Sequence, residues 1–325
     1  MIEPPANHAV SKTGMRETSA AATRRRLWDK TRRYAPLYLL FLPVLAYYLI
    51  FQYAPMTGVI IAFKKYNFLD GIFGSPWAGF SHFERFIMSG DFWIVFRNTL
   101  ILAFYRTLFG FPAPILFALL LYEMRFARWR RFFQTVSYLP HFVSWVVVYA
   151  LLYNFFSESG LINTLLKSSF GYTLPFLSST DFFRTMFVGS AIWKEIGWNA
   201  IIFLAALTRV DPELYEAAAI DGANRWRRIW HISLPGIRSI ISIMFILSIG
   251  SLMSVSFEQI LVMINPQVAS VAEVIDYYVY RVGLLDTGNY SYATAVGLFR
   301  SVIALLLVLI ANALAKKIDE EGGIW

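Results

Sequence analysis

Five ionisable side chains stand inside segments that are otherwise apolar: Arg106, Lys194, Glu195, Glu258 and Arg300. In hydrocarbon each such charge costs about 2.5–3.5 kcal/mol on insertion scales, so each needs a partner or a water-filled path. Their chemistry is charge recognition. Guanidinium and ammonium groups clamp carboxylates, and a carboxylate accepts hydrogen bonds from hydroxyls. Tyr149, Tyr153, Trp193 and Trp198 share these stretches, with Asn199 alongside, and could stack on or hydrogen-bond to a ring-shaped solute. Aromatics also anchor helices at bilayer interfaces, and mutual ion pairing is the competing account of the charges. His82, His141 and His231 stand apart with no metal-ligand spacing, so no chemistry is assigned to them. No G-x-x-x-x-G-K-[ST] run occurs, and no cysteine is present, which excludes disulfides and thiolate metal sites.

The elements that must position these groups are membrane helices. The 325 residues are 57% hydrophobic and only 15% charged, whereas a soluble domain carries about 25% charged residues. The net charge of +8 reads as the Lys/Arg excess of cytoplasmic loops, not as a nucleic-acid surface. Six windows suit a bilayer span: Pro36–Ala62, Asn98–Leu121, Phe132–Phe156, Met186–Leu207, Ile240–Ile264 and Tyr292–Leu314. Arginines dominate the loop at 122–131 and crowd the loop at 208–239, while 265–291 is acidic on balance. That asymmetry predicts an N-terminal tail, a 122–131 loop and a 208–239 loop in the cytoplasm, with both termini inside. The predicted organisation is a basic tail over 1–33 that is partly disordered, a six-span all-α membrane domain over 34–318, and a short tail over 319–325. The outward loops at 64–97 and 157–185 mix Gly, Pro, Ser and aromatics, and are expected to form interfacial or re-entrant pieces.

On each of the four helices that carry them, one intramembrane charge shares a helical face with small residues. Arg106 lines up with Thr99, Ala103, Gly110 and Ala113, Lys194 with Ser190 and Gly197, Glu258 with Gly250 and Ser254, and Arg300 with Ala293, Gly297, Ala304 and Ala311. Small residues mark close helix approach, so all five charges are expected to point into the bundle and face one hydrated cavity. Arg106 and Arg300 are placed roughly 12 Å below the outer surface, with Lys194 and Glu195 near the middle and Glu258 in the outer third.

The cytoplasmic stretch 211–238, DPELYEAAAIDGANRWRRIWHISLPGIR, carries a second pattern. Asp211-Pro212-Glu213 is a strong helix start, since Asp caps free N–H groups, Pro suits the first helical position and Glu complements the dipole. A short helix is expected from Pro212 to about Ile220, with Tyr215, Ala218 and Ala219 on one face. Asp221-Gly222 should end it. A second helix is expected from near Asn224 to just before Pro235. Three arginines could suggest a helix-turn-helix DNA reader, but its position between two spans argues against that.

The order Glu216-Ala217-Ala218, Asp221-Gly222-Ala223, Trp226, Ile232 and Pro235 resembles the EAA loop by which permease subunits of ABC importers dock their ATPase. Ser239 stands where many members have a second proline. The runs IWKEIGWNAIIFLAALTRVDPELYEAAAIDGA (192–223) and YSYATAVGLFRSVIALLLVLIANALAKKI (290–318) look like the lipoprotein-linked oligosaccharide permeases, those of alginate-type importers most of all. The resemblance covers most of 35–318. It implies the type I importer permease fold, a second homologous permease in a heterodimer, an ATPase dimer holding ATP and magnesium, and an extracytoplasmic sugar-binding protein. It implies no cofactor or catalytic residue on this chain and a place in the bacterial cytoplasmic membrane. Arg106, Lys194 and Arg300 outnumber Glu195 and Glu258, so the transported oligosaccharide is expected to be acidic, of the alginate type. A path for neutral or amphiphilic glycans is the alternative, and a self-sufficient secondary transporter a more distant one, since neither matched halves nor paired broken spans are visible.

Overall fold

Apolar runs become helices in this chain, and prolines and caps decide where they break. The computed structural model describes residues 34–250, 256–286 and 288–318. The tails expected over 1–33 and 319–325 lie outside the described residues. The chain divides into two units, Met1–Val59 and Ile60–Trp325. Among the described residues, five helices are long and apolar enough to cross a membrane, or six if one bent pair is a single span. Helix α1 runs Ala35–Phe63 and α2 runs Gly90–Tyr122. They are followed by α3 (Ala127–Tyr138), α4 (Trp145–Phe156), α5 (Leu161–Phe170) and α6 (Thr180–Leu207). Next come α7 (Pro212–Ile220) and the bent pair α8 (Arg225–Gly236) and α9 (Arg238–Gly250). The last are α10 (Phe257–Met263), α11 (Ile275–Tyr280) and α12 (Tyr290–Ile318).

The expected third span is corrected. Phe132–Phe156 is not one helix. Pro140 lacks an N–H and closes α3 in a 3₁₀ turn over Leu139–Phe142, and Ser144 opens α4 by accepting from the Val147 N–H. The span-length run is instead Trp145–Phe170. The fifth window is also interrupted, since Ser256 is not helical and α10 starts at Phe257, with 251–255 outside the described residues. Ser254, expected on the face of Glu258, falls in that gap.

Two prolines are tolerated inside helices by the same device. A π-helical turn over Leu49–Tyr53 precedes Pro55, and another over Ile229–Ser233 precedes Pro235. The wider turn displaces the carbonyl that a proline ring would strike one turn back. The second loop helix therefore does not stop before Pro235, as expected, but continues to Gly236 and bends by 66° into α9.

Helices α2 and α6 form the spine of the second unit. Leu102 and Ala103 pack on Phe183, Phe187 and Val188 towards one end, and Ile115, Ala118 and Leu119 on Ala200, Phe203 and Leu207 towards the other. Between apolar helices in lipid the hydrophobic effect supplies little, so buried amides carry specificity. Gln259 Nε2 donates to the Phe187 carbonyl at 2.7 Å and to Ser190 Oγ at 3.0 Å. Asn98 Nδ2 donates to the carbonyls of Ser270 and Glu273. The loops at 64–97 and 157–185 contain short helices, Gly71–Gly74, Ser81–Ile87 and α5. Buried Asn163 pins the second of them through Ser157 and Leu174.

Candidate functional site

Helices α2, α6 and α9 bound a cavity of about 460 Å³ lined by Arg106, Thr107, Glu195, Asn199, Ser248 and Ser256 among aromatic and aliphatic side chains. Its volume is that of a small-ligand site. Because α2 begins at Gly90 and ends at Tyr122, Arg106 lies sixteen residues from either end (106 − 90 and 122 − 106). That is the midpoint of the helix.

The expectation that all five intramembrane charges face one cavity is corrected. Arg106 and Glu195 line it, as does Asn199. Lys194 is buried and does not line it, although its Nζ stands 3.8 Å from Glu195 Oε1. Its Nζ donates to the His141 carbonyl at 2.6 Å and to the Pro140 carbonyl at 3.3 Å, and lies over the Trp145 ring. These carbonyls are freed by the break between α3 and α4, so the lysine caps a helix end that proline opened. Arg300 is ion-paired with Asp276. Glu258 is exposed, and its neighbour Gln259 takes the buried position. Ser256 is not helical and α10 starts afresh at Phe257, so the steps of four drawn from Gly250 do not carry through to Glu258. Gly297, expected at a close helix contact on the Arg300 face, has open space around it.

The aromatics also separate. Trp193 and Tyr153 are exposed on the outside of their helices, and Tyr149 packs into the core beside Leu102 and Phe183. Trp198 stacks on His141 with ring centroids 4.4 Å apart and planes within 2°. The sequence assigns His141 no chemistry because an isolated histidine carries no spacing signal. Its Nδ1 donates to Glu195 Oε2 at 2.9 Å. The one cue available was its place directly after the proline that breaks the span.

The loop at 208–239 forms a second candidate site. Asp211 Oδ1 accepts from the Glu213 N–H at 2.9 Å and starts α7. At the other end Gly222 adopts φ +75°, with its N–H bonded to Ala219 and the Ala223 N–H bonded to Ala218 at 2.8 Å. This pair of bonds is the Schellman termination that a left-handed residue permits. Asn224 then caps α8 by accepting from the Arg227 N–H. Tyr215 and Ala218 turn inward, while Ala219, expected on the same face, is exposed. Tyr215 Oη meets Ser233 Oγ at 3.0 Å, and burial raises the phenol above its usual pKa. Glu216, Ala217, Asp221, Gly222 and Pro235 are exposed, with Ala223 half-buried. Ile220 is 87% exposed and Trp226 69%. The bent loop thus turns two large apolar side chains outward.

Residues 110–320 match the family of binding-protein-dependent transport system inner membrane components. The chain is 52% identical to protein LplB of Bacillus subtilis over 88% of its own length and 90% of that protein. It is 45% identical to the polygalacturonan/rhamnogalacturonan transport system permease protein YteP of the same organism, over 92% and 93%. Among solved structures, a bacterial alginate ABC transporter crystallised with its alginate pentasaccharide-bound periplasmic protein contains a chain that superposes with a TM-score of 0.83. The two are 39% identical, over 90% of this chain and 98% of that one. That likeness gives the fold as the ABC importer permease fold, six-span with the bent pair counted as one span.

Proposed function

The chain belongs to the binding-protein-dependent transport system inner membrane components, and from this premise we propose that it carries an acidic oligosaccharide through the bacterial cytoplasmic membrane. Family membership makes it a multi-pass permease subunit and not itself an enzyme. In the proposed assembly it pairs with a second permease, receives sugar from an extracytoplasmic binding protein, and is driven by ATP and magnesium held on a separate ATPase. The loop at 208–239 receives that ATPase, with Glu216, Asp221, Gly222 and Trp226 at the contact.

The observation that carries the substrate reading is Arg106. Its guanidinium lines the cavity, and no described residue approaches it within hydrogen-bond or ion-pair distance. An arginine in that position offers a planar fork to a carboxylate. The named substrates of YteP and of the alginate transporter are acidic polysaccharides, which supports the same reading. Arg106→Gln is expected to lower uptake of a uronate oligosaccharide by about tenfold or more, as loss of a charge-assisted pair does, while complex assembly is retained. The check is uptake into proteoliposomes holding the whole importer. Equal uptake of acidic and neutral oligosaccharides delivered by the same binding protein would remove the acidic assignment.

We place residues 1–33 and 208–239 in the cytoplasm and 64–97 and 265–291 outside, from the arginine asymmetry of the loops. The native chain has no cysteine, so single introduced cysteines report cleanly. Asp286→Cys is expected to react with an impermeant maleimide in intact cells and Arg225→Cys only after lysis. The reverse pattern would invert the topology.

A further inference from the structure

Arg106 and Glu195 line one cavity from neighbouring helices, yet they are not paired. Opposite charges that share a cavity attract, so a carboxylate that stays off the guanidinium needs a restraint. The restraint is visible on the Glu195 side. Its Oε2 accepts from His141 Nδ1 at 2.9 Å, and its Oε1 stands 3.8 Å from Lys194 Nζ. Neither partner is loose. The imidazole is stacked flat on Trp198 at 4.4 Å, and Lys194 grips the His141 backbone carbonyl at 2.6 Å. Gly197 lets this break in the chain lie directly against α6, because a Cβ there would stand 2.3 Å from the Ser137 carbonyl oxygen. The Pro140 break thus delivers one imidazole to one carboxylate, on the rim of the cavity.

We propose that His141 is a positioning residue for substrate selection: it holds the Glu195 carboxylate away from Arg106, leaving the guanidinium free for the carboxylate of an acidic sugar. This rests on the acidic-oligosaccharide reading above and adds a residue that the reading does not need. Without the imidazole, Glu195 swings to Arg106 and closes the anion site from within. A neutral sugar, which gains little from a free guanidinium, is transported as before.

The test uses the assembled importer in proteoliposomes, with a uronate trisaccharide and its neutral methyl ester, each delivered by the same binding protein. His141→Phe keeps the stack on Trp198 and removes the donor. It is expected to lower the acidic-to-neutral uptake ratio about tenfold relative to wild type. The double variant His141→Phe/Glu195→Gln is expected to return the ratio to that of Glu195→Gln alone, because the competing anion has gone. His141→Gln, which retains a donor, is expected to stay within a few-fold of wild type. A general packing defect lowers both uptake rates together and leaves the ratio unchanged, and that result overturns the proposal. So does a double variant no better than His141→Phe. If the wild type itself shows no preference for the acid, the acidic reading fails and the positioning role falls with it, an outcome separate from the other two.

Discussion

Gly222→Pro is expected to abolish binding-protein-stimulated ATP hydrolysis and transport in the assembled importer. Gly222 sits at φ +75°, whereas proline is fixed near −65°. The substitution also removes the N–H that bonds to Ala219 at 3.1 Å. The turn between α7 and α8 cannot then close, and the exposed residues Ile220 and Trp226 lose their mutual arrangement. Glu216→Arg provides the complementary case. Glu216 is exposed with its backbone inside α7, so the change should alter the fold's own stability by no more than about 0.5 kcal/mol. Its effect is expected at the partner surface, as loss of ATPase stimulation by a subunit that still folds and inserts. Sugar binding by the extracytoplasmic binding protein should be unaffected in both. Transport at the wild-type rate in either variant would remove the coupling assignment from this loop.

Gly197→Ala is expected to be the most damaging single methyl addition in α6. The new Cβ would lie 2.3 Å from the Ser137 carbonyl oxygen and 2.5 Å from its carbon. Both are backbone atoms, so no side-chain rotation relieves the clash. Helices α3 and α6 must separate, at a cost of about 3 kcal/mol. Separation also lengthens the Lys194 bonds to Pro140 and His141, so the loss extends beyond the contact itself. Gly189→Ala on the same helix is the control. Its Cβ meets nothing within 4 Å, and alanine in a helix interior is favoured over glycine by roughly 0.5–1 kcal/mol. Thermal unfolding of the detergent-solubilised protein should show a clear fall for the first variant and none for the second. Equal melting temperatures would mean that the α3–α6 crossing is looser than it stands here.

Features that depend on neighbours along the chain are readable from the residues alone. Capping at Asp211, the start of α7 at Pro212, the left-handed turn at Gly222 and the cap at Asn224 are all set within four or five residues. They were legible because a helix end must satisfy its own N–H and C=O groups locally. The apolar spans were legible for a related reason, since in lipid the backbone must bond to itself and only a long apolar helix does so. The EAA-like order of residues 216–235 likewise carried the family, because its spacing is fixed by one bent segment.

Where the charges point is set by packing between distant segments. Arg106, Lys194, Glu195 and Arg300 look alike in the sequence, each a charge inside an apolar run. Yet one lines the cavity unpaired, one caps the Pro140 break, one is held by His141, and one meets Asp276. The choice depends on which carbonyls a broken helix frees and which distant side chain arrives beside them. His141 and Glu195 are 54 residues apart, Asn98 and Ser270 are 172 apart, and no periodicity along one helix encodes either meeting. A charge in hydrocarbon must find a partner, but the sequence does not say which. Packing between helices supplies that answer, because a desolvated ion takes whichever hydrogen-bond partner the backbone geometry brings within about 3 Å.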